Sequence, residues 1–388
     1  MGPLFRLTAV LGLILLTACA RPPEAPRLDL EHSSFGVLAG WQNDDQAEAL
    51  NAFQRSCGAF AALPDDRSVG PVGGTVADWR PACEAAAGVD SGAARAFFEA
   101  WFTPFRASNR GASEGLFTGY YEPLLRGARQ FGGVFTVPLH GRPSGLVTVD
   151  LGRFAGDLEG RKIIGRVVDG TVAPLPDRGE IAAGALDGDA PVIAWVDDPV
   201  DAFFLHVQGS GRVVLADGGM LRVGYDGANG HAYTSIGKVL IERGEIARAD
   251  VSLQSIRAWL GGHPDQAADL LAANRSYVFF REIKGDGPLG AQGVALTPGR
   301  SLAIDRRFLS LGVPVWLDIT ASGTSPGDAD RPVRRLVIAQ DTGGAIRGPV
   351  RGDVFWGFGP EAEYVAGHMK HRGGYYLLLP NSVAQGLP

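Results

Sequence analysis

The stretch "AQDTGGAIRGPVRGDVFWGFG", residues 339–359, sets Asp341 and Asp353 twelve positions apart among six glycines, next to Phe355, Trp356 and Phe358. Extended with its upstream neighbours, "RRLVIAQD" alternates so that Val337, Ala339 and Asp341 share one face of a strand, with Asp341 at its end. Read as extended chain, "GDVFWGFG" places Asp353 on the face of Phe355. Two strands joined by a glycine-rich turn make this region β. Carboxyls at strand ends, where backbone can approach closely and flat rings are at hand, suit sugar chemistry, in which a carboxyl donates a proton. The plain alternative is a hairpin whose aspartates cap turns, since glycine and aspartate are ordinary turn residues. Asp305, after the strand-like "LAID", is a third aspartate at a strand end, and the three either converge or form separate turns.

The β pattern extends in both directions. "SYVFFREI", "GVALTPGRSLAID", "VPVWLDI" and "GGYYLLLP" surround the opening stretch, with a short helix expected from Pro360 to Lys370, where proline and Glu361 and Glu363 suit a first helical turn. Further upstream, "FTGYYEPLLRG", "GGVFTVPLH", "PVIAWVD", "AFFLHVQGSGRVVLADGG" and "MLRVGY" are short β-like runs separated by Gly, Pro and Asp. Helices are expected at 44–62, after Ser91, and in an interlude from about Gly230 to Ala273, where Ser252 suits an N-cap and Gly261–Gly262 a stop. The 55 glycines and 25 prolines fit many strands joined by tight turns. The fold class is therefore mainly β (α+β).

A chain of 388 residues allows one large domain or two modest ones. With 20% charged residues and a formal net charge of −6, it carries no basic surface for nucleic acid. At the N-terminus, "MGPLFRLTAVLGLILLTACA" has Arg6, then an apolar run from Leu7 to Leu16 that is too short to span a bilayer, so residues 1–18 read as an export signal. "LTAC" at 16–19 resembles the bacterial lipobox, in which Cys19 would be lipidated; ordinary signal cleavage is the alternative. Ala20 lacks the aspartate that retains such proteins in the inner membrane, which favours the periplasmic face of a Gram-negative outer membrane. The proline-rich residues 19–34 read as a tether. Cys57 and Cys83 remain, either as a disulfide in an oxidising compartment or with Cys57 as a buried thiol.

Other chemistries find little support. The histidines show no zinc-binding spacing, and neither metal nor cofactor is expected. "HVQGSGRVV" reads as a hairpin rather than a phosphate cradle, and "VQGSG" lacks the first glycine of a nucleophile elbow.

Taken together, "TGYYEP" (118–123), "HVQGSG" (206–211), "ANRSYVFF" (273–280), "AIDRRFLSLGVPVWLD" (303–318) and the segment 339–380 resemble the membrane-bound lytic murein transglycosylase A family. The C-terminal part is similar to its 3D domain, named for three aspartates that match Asp305, Asp341 and Asp353. The resemblance implies a double-psi β-barrel, with a second β-rich domain inserted and a glycan groove between them. The implied division is residues 35–123 for the first barrel part, 124–275 for the insert and 276–388 for the rest of the barrel. It implies Asp353 as the single catalytic residue, with Asp341 as the alternative and Asp305 in support. Thr118, Gly119, Tyr120, Asp341, Gln208, Gly209, Ser210 and Phe355 would line the groove. Tyr120, Tyr121, Phe355 and Trp356 are candidates for stacking on sugars, core packing being the competing use.

The implied partners are peptidoglycan glycan strands, the outer membrane through the lipid, and other cell-wall enzymes. The implied reaction cuts the β-1,4 bond between N-acetylmuramic acid and N-acetylglucosamine without water and leaves a 1,6-anhydro end. A two-carboxylate muramidase and a non-catalytic wall-binding scaffold are the alternatives.

Overall fold

The computed structural model describes residues 24–158, 161–285 and 287–387. The export signal at 1–18 and Cys19 lie outside the described residues. In chain order, Leu28–His32 (β1) precedes the helices Gln46–Ala61 (α1), Val76–Ala86 (α2) and Ala94–Trp101 (α3). Strands Phe102–Asn109 (β2) and Gly115–Glu122 (β3) follow, then Leu124–Ala128 (β4), Val137–His140 (β5), Leu146–Asp150 (β6), Lys162–Val168 (β7) and Thr171–Ala173 (β8). Arg178–Ala182 (α4), Val192–Val196 (β9), Pro199–Gln208 (α5), Ser210–Leu215 (β10) and Met220–Ala228 (β11) come next. Helices Ile236–Glu242 (α6), Leu253–Gly262 (α7) and Pro264–Ala272 (α8) lead to Val278–Glu282 (β12). The C-terminal run is Ser301–Ala303 (β13), Pro314–Ala321 (β14), Arg331–Asp341 (β15), Arg351–Phe358 (β16), Pro360–His368 (α9), Lys370–Pro380 (β17) and Asn381–Ala384 (α10).

The strands β17, β14, β15, β13, β16 and β3 pair in that order, and β3 returns to β17, which closes a six-stranded barrel. The β13–β15 and β16–β3 pairings are parallel. Parallel neighbours need long crossover connections, which fits the mainly β, double-psi class that the family resemblance implied. β2 and β1 extend the sheet outward from β17. Phe117, Val315, Leu317, Val337, Val354 and Leu377 fill the interior.

Helices α1–α3 pack against this barrel because each buries one stripe. In α1, Ala49, Leu50, Phe53 and Phe60 recur at helical spacing, and the Asp45 side chain accepts a hydrogen bond from Ala47 N (3.1 Å) as cap. Phe53, Trp79, Phe97, Phe98 and Phe102 form one aromatic cluster. Cys57 is disulfide-bonded to Cys83, which ties α1 to α2. Sequence periodicity missed α2, whose start is a capping box between Thr75 and Asp78. A 3-10 turn at Ser91–Ala93 precedes α3, so Ser91 does not cap that helix directly.

A second sheet, in the order β12–β11–β10–β4–β9–β5, has its own core of Leu125, Leu139, Val196, Val213, Val223 and Phe280. A bridge between Gly141 and Phe280 brings its two edges together. Because β12 pairs with β11, this sheet runs past residue 275, where the boundary was expected.

Two sequence expectations need correction. "AFFLHVQ" is helix α5, not strand: Asp198 caps it, Pro199 opens it, and five consecutive buried residues, Ala202–His206, erase the periodicity that tells helix from strand. The Gln208–Ser210 turn is therefore a helix end running into β10 rather than a hairpin. The expected tether also shortens. β1 pairs with β2, and ahead of it Arg110 bonds Ala25 O (2.7 Å) and pairs with Glu24 (2.6 Å).

Candidate active site

Strand β16 runs between β13 and β3, with Asp353 in register with Ala303 on one side and Thr118 on the other. Paired residues on parallel strands share a face, so Asp353 and Thr118 point the same way. Thr118 Oγ1 donates to Asp353 Oδ1 (2.5 Å), and Arg351 Nη2 donates to Thr118 Oγ1 (2.8 Å). Arg351 also donates to the carbonyls of Leu116 and Gly352, which locks the guanidinium along the strand. Asp353 is partly buried, and burial raises its pKa while the Arg351 cation and the Thr118 hydroxyl pull it back. Its Oδ2 has no hydrogen-bond donor among the described residues.

Asp341, at the end of β15, is held differently. Its Oδ1 accepts from Ala291 N (2.9 Å) and Thr342 N (2.8 Å), and its Oδ2 accepts from Tyr120 Oη (2.9 Å). Burial outweighs the pull of these three donors and, with a smaller push from the nearby Asp353 charge, the carboxyl is raised to about 6. The Tyr120 hydroxyl rises well above its ordinary value, first by burial and then by the Asp341 charge.

The frame around them is braced from α1. Gln340 Nε2 donates to Ala52 O (2.8 Å) and Ser56 Oγ (2.9 Å), and Ser301 Oγ donates to Gln340 Oε1 (2.6 Å). Gln292 N donates to Gln340 O (3.1 Å), which positions the loop that supplies Ala291 N to Asp341. Asp305 is 2% exposed. Its carboxyl accepts from Arg307 and from Gly348 N (2.8 Å). Although burial opposes it, these bonds hold the Asp305 pKa below the usual carboxylate range. Asp305 therefore braces the 341–350 loop and does not reach the reacting space.

Of the other expected residues, Thr118, Tyr120 and Asp341 converge on Asp353. Gln208 stands across the boundary with the second sheet, where its Oε1 accepts from Tyr121 N (3.1 Å). Gly209 caps α5 in the left-handed conformation and Ser210 starts β10. Phe355 is 1% exposed and packs on Tyr120 at 5.2 Å, so it supports that ring from behind and offers no face to a sugar. Tyr121 and Trp356 are likewise packing residues: Tyr121 lies among Ala362 and Ala366, and Trp356 Nε1 donates to Met369 Sδ (3.3 Å). Gly119 serves packing too, because a Cβ there would lie 2.7 Å from the Trp356 ring and 2.9 Å from Ala366 Cα. Sequence reasoning missed Arg351, although its place two residues before Asp353 on one strand face was the available signal.

Residues 116–281 match the MltA specific insert domain, and residues 300–379 match the 3D domain. The chain is 35% identical over 276 residues to membrane-bound lytic murein transglycosylase A of Vibrio cholerae, covering 70% of this chain and 67% of that one. With the Escherichia coli K12 protein of the same name it shares 35% identity over 264 residues, covering 68% and 65%. Among solved structures, a membrane-bound lytic murein transglycosylase from Agrobacterium tumefaciens superimposes with a TM-score of 0.82 at 36% identity, over 92% of this chain and 99% of that one. Escherichia coli MltA with bound chitohexaose gives a TM-score of 0.64 at 29% identity, over 91% and 94%. The chain thus belongs to the membrane-bound lytic murein transglycosylase A family.

Proposed function

We propose that this protein is a lytic transglycosylase that cuts the β-1,4 bond between N-acetylmuramic acid and N-acetylglucosamine in peptidoglycan, with Asp353 as its single acid and base. The observation that carries the assignment is the difference in donors: both oxygens of Asp341 accept hydrogen bonds, three in all, whereas Asp353 Oδ2 meets no donor among the described residues. A protonated Asp353 gives its proton to the bridging oxygen as the C1–O bond breaks and positive charge develops at C1. The resulting carboxylate takes the proton of the same sugar's C6 hydroxyl, and O6 bonds to C1. Asp353 ends neutral, water is not consumed, and a 1,6-anhydro ring forms. Because the nucleophile is tethered to the electrophile, no second carboxylate is needed to position water. Burial beside the Tyr120–Phe355 pair favours the neutral form that starts the cycle. Thr118 keeps Oδ1 turned away from the sugar, and Arg351 steadies Thr118.

One observation favours the reverse assignment, with Asp341 as the acid: its pKa of about 6. Asp353→Asn should lower turnover by about 10²–10⁴ with the fold intact. A larger loss in Asp341→Asn than in Asp353→Asn would transfer the role. Mass spectrometry of digested sacculi tests the reaction itself, since anhydro ends weigh one water less than the reducing ends of a muramidase. The relatives' shared name, membrane-bound, supports a membrane-associated enzyme, and lipid on Cys19 at the periplasmic face of the outer membrane is the corresponding anchor. Glycan strands are the substrate, in keeping with the chitohexaose bound to the Escherichia coli relative.

A further inference from the structure

Strand β16 carries a second feature beyond Asp353. The β16–β3 register pairs Asp353 with Thr118, Phe355 with Tyr120 and Phe358 with Glu122. Three residues on β16 thus span two on β3 between the last two pairs, a bulge that contains Gly357 at φ 92°. Without it Phe358 would point to the opposite face with Val354 and Trp356. The extra residue turns Phe358 onto the face of Asp353, since a one-residue slip reverses a strand's sides.

There the Phe358 ring is 54% exposed, unlike its buried neighbours Phe355 and Tyr120. It is also held still. The Arg212 guanidinium covers one ring face at 3.5 Å from the centroid. Arg212 is fixed by two hydrogen bonds to Glu122 Oε2 (3.2 and 3.0 Å), and Arg222 approaches Glu122 Oε1 at 3.4 Å. Glu122 is 1% exposed. A buried carboxylate therefore anchors a guanidinium that supports an open aromatic ring, and the cation–π contact orients that ring. Arg212 belongs to β10 of the second sheet and Phe358 to β16 of the barrel, so their contact spans the boundary between barrel and insert. It stands five positions along the strand from Asp353, roughly 15 Å away.

We infer that Phe358, backed by Arg212 and Glu122, is a stacking platform for a sugar ring of the glycan strand at a subsite remote from the bond being cut. This rests on the transglycosylase reading above. Its apolar ring matches the C–H face of a pyranose, and the distance means that it grips chain several rings away from the reacting pair. It sets affinity for long strands and does not touch the acid.

The test uses chitohexaose binding to the Asp353→Asn protein, followed by calorimetry, and KM for release of anhydro ends by the otherwise native enzyme. Adding Phe358→Ala should weaken chitohexaose about tenfold and raise KM on glycan strands by a similar factor, with kcat changed less than about twofold. Phe358→Trp should restore both. Unchanged affinity and KM in Phe358→Ala would overturn the platform, as would a loss that Phe358→Trp fails to recover. Failure of the transglycosylase reading looks different: native enzyme would release no anhydro ends, whatever stands at position 358.

Discussion

Asp341 pairs three accepted hydrogen bonds with a raised pKa, and the combination has a measurable thermodynamic consequence. Its folded value of about 6 lies above the ordinary 3.8, so the folded chain holds this proton more tightly than the unfolded chain. Stability from this group is complete below about pH 4 and is lost as pH rises through about 6. Asp341→Asn removes that loss, so thermal melts should show the variant more stable than the parent near pH 7–8, by up to about 3 kcal/mol, with the advantage gone near pH 4. A difference that does not vary with pH would contradict this account. Asp305 runs the other way: its lowered pKa adds stability that is present at neutral pH and lost on acidification. The sequence pattern placed three aspartates at or near strands, and the family resemblance, not the pattern, singled out Asp353. Their different surroundings were not legible, because two of the three donors to Asp341 are backbone groups of Ala291 and Thr342, and no side-chain pattern encodes those.

At the level of elements, close approach explains what composition only suggested. β3 lies against α9 with so little space that Gly119 touches Trp356 and the α9 backbone at Ala366. Gly119→Ala should cost about 1–3 kcal/mol by overpacking, since helix backbone cannot step aside as a side chain can. Urea denaturation would measure it, and a loss under about 0.5 kcal/mol would mean that α9 shifts freely. The barrel strands were readable as short apolar runs punctuated by Pro and Asp, such as "VPVWLDI" and "RRLVIAQD". Helix α5 was not, because burial on all sides leaves no polar stripe to mark the helical period. β1 was hidden in a proline-rich run whose composition is that of a linker, and only its pairing with the barrel edge makes it a strand.

Across the whole molecule, the Cys57–Cys83 bond closes a loop with a sequence separation of 26 and joins α1, which backs β15, to α2. In the chain-entropy view this is worth about 3–4 kcal/mol. Reduction, or the Cys57→Ser/Cys83→Ser pair, should lower the melting temperature by an amount consistent with that figure, and a melt that ignores reductant would show the bond to be idle. The two cores and the return of the chain from the second sheet to the barrel could be expected from family likeness, whereas periodicity alone could not order the strands, because which strands pair depends on contacts far apart in sequence. The docked N-terminal segment sets a last constraint. Glu24 is already clasped by Arg110, which leaves five peptide steps back to residue 19, a leash of at most about 18 Å. With a lipid on Cys19, the enzyme would graze only the wall polymer lying next to the membrane and would meet deeper layers only when they came to it.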